Sequence, residues 1–152
     1  MKARLMPGKI APDAYKALGA VQGYVNECGL EESLMELVKL RASQINGCAW
    51  CIDMHTKDAR AMGETEQRLY LLGAWREAPF YSARERAALA WTEAVTQVCT
   101  GEVPDDVFEA ALAEFGEKGL VDLNMVVIAI NSWNRMNVAF RVPAGDYKPA
   151  KA

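Results

Sequence analysis

Apolar residues recur at helical spacing in successive segments of this chain, and this periodicity constrains the fold more than any other feature. In the first such segment, Tyr15, Leu18, Val21 and Val25 lie three or four residues apart before Gly29. This spacing places their side chains on one face of a helix. Later segments repeat the pattern, and none resembles a strand or hairpin. The sequence therefore predicts an all-α protein.

Capping and breaking residues divide the chain into about six to seven helices. Gly29, Gly63 and Gly116 follow helical segments, as glycines at helix ends do, and Thr65 and Ser82 precede others as N-caps. The predicted helices cover about residues 12–28, 31–45, 48–63, 65–79, 82–99, 104–116 and 120–140.

The chain has the size and composition of one ordinary globular domain. Its 152 residues are 51% hydrophobic, which allows a sizeable core without disulfide crosslinks. We expect a helical domain at residues 11–142, an N-terminal arm at 1–10 and a flexible C-terminal tail at 143–152.

Charge and hydropathy argue against nucleic acid and membranes as partners. The net charge is −3 and no basic tract occurs, whereas nucleic-acid-binding surfaces are basic. No run of about 20 apolar residues could span a bilayer, and the first residues, MKARLMPGKI, lack the apolar core of a signal peptide. With four cysteines in such a chain, we expect thiol chemistry in a reducing, cytoplasmic compartment rather than a disulfide framework.

The last predicted helix, residues 120–140, is apolar on nearly all sides. Such a helix is buried inside a domain or at a subunit interface. Its polar residues Asn124, Asn131 and Arg135 line up in one stripe. They are either ordinary hydrogen-bonded helix contacts or a shell that orients a catalytic face, and the sequence leaves both interpretations open.

The reactive groups of the sequence are concentrated between Glu36 and His55. This segment contains Cys48-Ala-Trp-Cys51 and, four residues later, His55, the only histidine in the chain. At 3.6 residues per turn, both cysteines and the histidine fall within an arc of roughly 60° on one helix face. Taken alone, Glu36 is expected to be a solvated helix residue. The alternative is partial burial, because its helix is apolar on two sides, and burial would raise its pKa and make it a proton acceptor.

Two arguments about the reactive sulfur point in opposite directions. Cys48 lies at the start of a helix, where unpaired backbone N–H groups and the helix dipole favour a thiolate. Cys51 lies four residues before His55, so it is the thiol that a neighbouring base can serve. Spacing alone therefore leaves the attacking cysteine open.

The same side chains suggest a second chemistry, which is metal binding. Cys48, Cys51 and His55 could supply three zinc ligands, with Cys28 or Cys99 as a fourth. A c-type haem is excluded at this CxxC, because isoleucine follows the second cysteine where such sites require histidine. A buried cysteine pair beside a satisfied core histidine is the purely structural alternative.

The spacing of these groups resembles the signature of the alkyl hydroperoxidase D (AhpD)-like proteins of the carboxymuconolactone decarboxylase superfamily. That signature is a glutamate, eleven residues, CxxC, three residues and a histidine, here Glu36, Cys48, Cys51 and His55. The resemblance extends over about residues 10–142 through LVKLRASQINGCAWCIDMHTKDAR, GETEQRLYLL, RERAALAWTEAV and AINSWNRMNVAFR. It implies a single-domain AhpD-like helical bundle that assembles into trimers or hexamers.

The resemblance also implies a thiol-dependent peroxidase that needs no cofactor. Cys51 corresponds to the peroxidatic thiol and Cys48 to the resolving thiol, while His55 and Glu36 correspond to the proton relay. The expected substrate is an alkyl hydroperoxide, and the expected product on the protein is a disulfide between the two cysteines. An external dithiol, carried in related proteins by a lipoyl-bearing protein, would then restore the thiols.

One position departs from the family pattern. Relatives with established peroxidase activity have a histidine just before the second cysteine, where this chain has Trp50, and tryptophan cannot transfer protons at neutral pH. Thiol–disulfide exchange without efficient peroxidase activity is therefore an alternative. The lactone decarboxylase activity of the superfamily's name does not need a redox CxxC, and a non-catalytic assembly protein would leave the Cys–His face unused.

Overall fold

The computed structural model describes residues 2–149, which consist of helices joined by turns and loops. The α-helices are α1 (Pro7–Ile10), α2 (Pro12–Glu27), α3 (Glu32–Asn46), α4 (Ala49–Ala61), α5 (Glu66–Leu71), α6 (Ala83–Thr96) and α7 (Asp105–Phe140), and a 3₁₀ turn covers Leu72–Ala74. No strand occurs within residues 2–149, so the predicted all-α class is confirmed.

Local capping interactions set several of these helix boundaries. Ser82 and Glu85 form a complete capping box at the start of α6, and the Thr65 side chain accepts a hydrogen bond from an amide in the first turn of α5. α3 ends at Gly47, whose left-handed φ of 65° suits a residue without a Cβ. This turn brings Cys48 to the position directly before α4.

α3 is the central helix of the bundle and packs against α4, α6 and α7. Its buried side chains lie on several faces and include Leu37, Val38 and Leu40 as well as the charged Glu36. Glu36 is buried, with only 4% of the residue exposed, so the interpretation of Glu36 as a solvated helix residue is wrong and its burial, the alternative, is found. Apolar burial on several sides holds the helix in place, and it thereby fixes Glu36 relative to the neighbouring helices.

The cysteines of the CxxC occupy a small core cluster between α3, α4 and α7. Cys48 and Cys51 pack there with Ala42 from α3 and Ile130 from α7, and Trp50 packs against the cluster. Cys48 is 1% exposed and Cys51 is 0% exposed. Burial this complete limits access to either sulfur to the cavities that adjoin it.

α7 is interrupted at Gly116, where φ is 65° and ψ is 175°. The break divides the helix where the sequence predicted, and the part after it contributes Leu123 and Val127 to the core. Another side of this part remains uncovered in the single chain, with Val121 and Ile128 exposed by 60% and 42%. Its apolar surface is therefore buried on one side and open to a partner on another.

Both ends of the chain contact the helical domain over their described residues. α1 is a single turn within the segment predicted as an arm, and Arg4 donates hydrogen bonds to two carbonyls at the end of α7. After α7, residues 143–149 run along α4, where Lys57 donates to two of their carbonyls. Flexibility of the tail stays a prediction, and residues 150–152 lie outside the described residues. None of the helices within residues 2–149 combines the length and the hydropathy that a bilayer span requires.

Candidate functional site

A cavity of about 270 Å³ between α2, α3, α4 and α7 contains most of the predicted reactive groups. Glu36, Cys51 and His55 line it, whereas Cys48 does not. Its apolar lining comes from the side chains of Tyr15, Trp50, Met54, Ile130 and Trp133. The fold thus brings three of the four predicted catalytic residues to the wall of one cavity.

The Glu36 carboxylate binds two side chains in this cavity. Its Oε2 is 2.7 Å from Nδ1 of His55, and its Oε1 accepts a hydrogen bond of 2.8 Å from Nζ of Lys39. Lys39 lies three residues further along α3, a spacing that brings it to the same helix face. With Glu36 ionised, the imidazole hydrogen lies on Nδ1, and Nε2 is left as the basic nitrogen.

The ionisation of Glu36 differs from the sequence expectation. Burial by itself would raise the pKa of this carboxyl group, but the hydrogen bond and charge of His55, together with Lys39, outweigh it and lower the pKa below its usual value. The predicted raised pKa is therefore wrong, because that expectation considered burial alone and not the stronger opposing effect of His55, which Lys39 reinforces. At neutral pH Glu36 is a carboxylate, which suits it to orient His55.

The two thiols meet at the start of α4, where that helix faces α7. Cys48 is the N-cap residue, and its Sγ accepts a hydrogen bond of 3.4 Å from the backbone N–H of Cys51. The side-chain amide of Asn137, from α7, donates to Sγ of Cys51 over 3.3 Å. Each of these donors stabilises negative charge on sulfur.

These contacts separate the pKa values of the two thiols. A hydrogen bond from the Cys51 thiol lowers the pKa of Cys48 to about 7, with help from the Cys51 backbone N–H and the amides of Asn134 and Asn137 and against the effect of burial. Donating that hydrogen bond raises the pKa of Cys51, and burial raises it further. The pair therefore releases one proton near neutral pH and retains the second, with the charge favoured on Cys48.

The two sulfurs also line different cavities. Cys51 lines the 270 Å³ cavity together with His55, whereas Cys48 lines a separate groove of about 520 Å³ between the start of α4 and the end of α7. Trp50 lines both spaces. Charge and access therefore distinguish the two sulfurs. The negative charge is favoured on Cys48, whereas His55 shares a cavity with Cys51.

Asparagines of α7 link the thiols to α3. Asn134 donates from Nδ2 to Oγ of Ser43 over 3.0 Å, and Asn46 donates to Oδ1 of both Asn131 and Asn134 over 2.9 Å. Asn131 was among the polar residues predicted to line one stripe of this helix, whereas Asn134 and Asn137 were not. Their repetition every three residues was the available signal, because polar groups on a buried helix face need hydrogen-bond partners.

Tyr147, in the segment after α7, is a further neighbour of the cavity that the sequence did not indicate. Its hydroxyl donates to Oδ1 of Asp58 over 2.8 Å, and its ring centroid lies 6.2 Å from that of Trp50 in an edge-on arrangement. Burial, the hydrogen bond to Asp58 and the negative charges of Asp58 and Glu36 raise the pKa of Tyr147 to about 12. Tyr147 is therefore a hydrogen-bond donor throughout the physiological pH range.

The geometry does not support a zinc site made by the CxxC and His55. Within residues 2–149, one metal-capable group has its ligand atoms within 4.8 Å of one another, and it consists of Glu36, His55 and Asp58 without either thiol. The ammonium group of Lys39 lies 2.8 Å from Glu36 and repels a further cation there. These side chains satisfy one another, as the parts of a proton relay do.

Comparison with known proteins assigns the family. The sequence model of the carboxymuconolactone decarboxylase family matches residues 12–94, which contain the Glu36, CxxC and His55 pattern. The chain belongs to this family. It is similar to the uncharacterized protein YdfG of Bacillus subtilis (strain 168), with 44% identity over 139 residues that cover 91% of this chain and 95% of YdfG.

Solved structures confirm the AhpD-like fold. An Agrobacterium tumefaciens protein of unknown function, suggested to be the antioxidant defence protein AhpD, is 44% identical and superposes with a TM-score of 0.92 over 96% of this chain and 100% of its own. The debrominase Bmp8 superposes with a TM-score of 0.78 at 18% identity over 89% of this chain and 73% of its own. At that identity, Bmp8 shows a shared fold alone.

Proposed function

We propose that this family member is a thiol-dependent peroxidase that reduces alkyl hydroperoxides. The observation that carries the proposal is that Cys51 lines the same partly open cavity as the hydrogen-bonded Glu36–His55 pair. Cys48 adjoins Cys51 across the first turn of α4. One sulfur can therefore meet a peroxide beside a base, while the other is in place to close a disulfide.

In the proposed oxidation, the Cys51 thiolate attacks one peroxide oxygen and the O–O bond breaks. The alkoxide leaves and takes up a proton to become an alcohol, and a sulfenic acid remains on Cys51. The Cys48 thiolate then attacks the Cys51 sulfur, which forms the disulfide and releases the sulfenic oxygen as water after protonation. The hydroperoxide gains two electrons, and the thiol pair loses two.

Proton transfer within this site brings the charge to the attacking sulfur. Because the thiols share one proton near neutral pH, a proton shift from Cys51 to Cys48 moves the charge to the sulfur that lines the cavity. The Asn137 amide already donates to that sulfur. His55, with Nε2 as its basic nitrogen, is suited to accept a proton in the cavity and return it to the leaving alkoxide.

The walls of the cavity support an organic peroxide as substrate. Met54, Ile130 and Trp133 line it with apolar surface, which an alkyl group covers and hydrogen peroxide does not. A volume of about 270 Å³ accommodates a small alkyl chain. We therefore expect a small organic hydroperoxide to react faster than hydrogen peroxide.

The catalytic cycle requires a reductant, and we propose an external dithiol carried by a lipoyl-bearing protein. A reducing compartment such as the cytoplasm would keep the pair available between turnovers. We also propose that the chain works as a homo-oligomer, a trimer or hexamer. The exposed Val121 and Ile128 on α7 support this assembly, since aligned apolar side chains on a surface are typical of interfaces.

Thiol–disulfide exchange is the second candidate function, and Trp50 is the residue that favours it. Trp50 lines the cavity beside His55, which is the only histidine in the chain. With one base instead of two, peroxide reduction loses more rate than disulfide exchange does, because the alkoxide must be protonated as it leaves.

Thiol counting after peroxide treatment tests the proposal. With one equivalent of tert-butyl hydroperoxide, the reduced protein is expected to lose two thiols, which peptide mass mapping places in a Cys48–Cys51 disulfide. Cys51→Ser is expected to abolish the reaction, and His55→Gln to slow it by roughly 100-fold. Cys99→Ser, at an exposed cysteine, is the control that keeps the wild-type rate. Unchanged thiols, in a protein whose disulfide still closes with diamide, would favour the second candidate.

A further inference from the structure

The groove that contains Cys48 is not used by the proposed peroxide step. It lies between the start of α4 and the end of α7, and residues 142–144 form one of its walls. Trp50 lies between this groove and the 270 Å³ cavity, because it lines both while Cys48 and Cys51 each line only one. The two sulfurs of one redox pair therefore face two separate entrances.

The two entrances differ in charge. Glu36 and Asp58 are carboxylates of the cavity on the Cys51 side, where Lys39 offsets one of them. On the Cys48 side, Arg141 is the one charged side chain among the described residues that line the groove. An incoming thiolate is an anion, so it is favoured beside Arg141 and opposed beside the carboxylates.

Arg141 occupies its position in an unfavourable backbone conformation. Its φ of 55° and ψ of 50° are left-handed, and within residues 2–149 it is the one residue other than glycine with a positive φ. This conformation is unfavourable for a residue with a Cβ, and glycine is common at such helix ends. A long cationic side chain at this position is typical of a residue retained for its side chain.

We propose that the reductant uses this groove, so that an external alkyl dithiol attacks Cys48 from one side of Trp50 while the peroxide is reduced at Cys51 on the other. The inference rests on the proposed peroxidase function for its peroxide side only. The groove suits this ligand because Val138, Val142 and Pro143 offer apolar surface to an alkyl chain, and Arg141 attracts its thiolate.

The reductive step balances as two thiol–disulfide exchanges. A thiolate of the dithiol bonds to Sγ of Cys48, and the bond between the cysteines breaks, so that Cys51 leaves with the electron pair and takes up a proton. The second thiolate of the dithiol attacks its own first sulfur, which releases Cys48 as a thiolate and closes the reductant's disulfide. The dithiol loses two electrons, and the protein gains them.

Each sulfur that leaves in this sequence has a contact that stabilises its charge. Asn137 donates to Sγ of Cys51, so the sulfur that leaves first has a donor in place to stabilise its charge. Cys48 leaves second, and its pKa of about 7 makes it a good leaving group.

Blocking variants separate the two entrances. Ala144→Trp narrows the groove, and Gln22→Trp narrows the cavity, since each residue lines only one of them. Ala144 is exposed and Gln22 is half-buried, so both positions accept a larger side chain without displacing the core, and Ala144→Ser is the matched control. Each protein is oxidised with tert-butyl hydroperoxide and then reduced with dihydrolipoamide, and thiols are counted over time in each half-reaction.

We expect each blocking variant to slow one half-reaction and to leave the other unchanged. Ala144→Trp slows reduction by the dithiol about tenfold and leaves peroxide-driven thiol loss at the wild-type rate, because an obstructed approach costs rate only where attack occurs. Gln22→Trp slows the peroxide step and spares the dithiol step. Arg141→Asn, which tolerates the left-handed conformation, slows reduction most at low salt. If Ala144→Trp slows both half-reactions or neither, the assignment of separate entrances is overturned.

The reduction of the disulfide by the dithiol can be tested even if the protein has no peroxidase activity. If the hydroperoxide leaves the thiols intact, the proposed function fails, and diamide can form the same disulfide for the dithiol step. Slower reduction of that disulfide in Ala144→Trp than in Ala144→Ser still supports the entry of the dithiol through the groove. Equal rates of reduction in the two variants overturn it. In a Cys51→Ser background, Ala144→Trp but not Gln22→Trp is expected to slow alkylation of Cys48.

Discussion

The charge on the thiol pair depends on a hydrogen bond from one sulfur to the other. The Cys51 thiol is the largest influence that lowers the pKa of Cys48 to about 7. Cys51→Ala removes this donor, whereas Cys51→Ser replaces it with a hydroxyl group. Because the loss of a donor to a thiolate raises its pKa, we expect the pH midpoint of Cys48 alkylation to lie near 7 in the wild type and highest in Cys51→Ala. Mass mapping after iodoacetamide treatment measures the pH midpoint of Cys48 alkylation. Equal midpoints in Cys51→Ala and Cys51→Ser would show that a hydrogen bond from residue 51 does not lower the pKa of Cys48.

Glu36 is expected to act on both catalysis and stability, and two variants separate these effects. Glu36→Gln loses the carboxylate that orients His55, so peroxide-driven thiol loss should slow by about 10- to 100-fold. It also leaves the buried ammonium group of Lys39 without its counter-charge, which costs about 3 kcal/mol. The double variant Glu36→Gln with Lys39→Met removes that orphaned charge. Urea unfolding should show that it regains stability while thiol loss stays slow; recovery of both would mean that Glu36 acts through the fold alone.

The sequence predicted individual site residues where their relation is local or carried by a known spacing. Glu36 and His55 were selected in this way, and they form a hydrogen bond of 2.7 Å. Asn137 was not predicted as a site residue because it contacts Cys51 from 86 residues away. Helix periodicity indicates a face of a helix but not which residues pack against that face. Lys39 was not selected, for a different reason, since a lysine on a helix is ordinarily solvated. The pKa of Glu36 is lowered first by His55 and then by Lys39, and the expectation from burial included neither.

At the scale of elements, local signals decided which boundaries could be predicted. α6 begins at its capping box, and α7 breaks at Gly116, as the sequence indicated. The segment 143–149 follows α7 without such a signal, because contacts with α4 determine its path. Asp53 accepts from the Gly145 amide, and a sequence pattern does not encode a pairing of that kind.

Tyr147 is expected to hold this segment on α4. Its hydroxyl donates to Asp58 over 2.8 Å, and hydrogen bonds to charged groups contribute about 1.5–3 kcal/mol. Tyr147→Phe keeps the ring contact with Trp50 and loses the hydrogen bond, whereas Tyr147→Ala loses both. Amide hydrogen exchange of residues 143–149 should therefore rise from the wild type to the phenylalanine variant and again to the alanine variant. Equal, fast exchange in all three proteins would instead support the flexible tail predicted from sequence.

At the scale of the whole molecule, the helical class followed from periodicity, but the arrangement of the helices did not. The central position of α3 depends on which apolar faces meet, and periodicity identifies faces without their partners. The polar stripe predicted on α7 likewise did not reveal which of its residues face the interior. Asn131 faces inward to Asn46, while Arg135 on the same stripe is exposed and donates to Asn131.

The exposed side of α7 is the feature of the whole molecule that favours self-association. Val121 and Ile128 lie two helical turns apart on one side and are 60% and 42% exposed. Burying such side chains stabilises an interface by about 1.5–3 kcal/mol each. We therefore expect the chain to form homo-oligomers through this face, and we expect Val121→Glu combined with Ile128→Glu to dissociate them, because each carboxylate would be buried without a partner.

Light scattering over a range of protein concentrations measures this assembly. The wild type should give the mass of an oligomer, and the double glutamate variant a lower mass with unchanged helix content by circular dichroism. Tyr70→Glu, at a position on α5 that is 77% exposed, adds a charge away from this face and should keep the wild-type mass. A wild type that stays monomeric at every concentration would contradict the prediction. A double variant that keeps the oligomer would move the interface to another surface, since charged side chains are depleted from the core of interfaces.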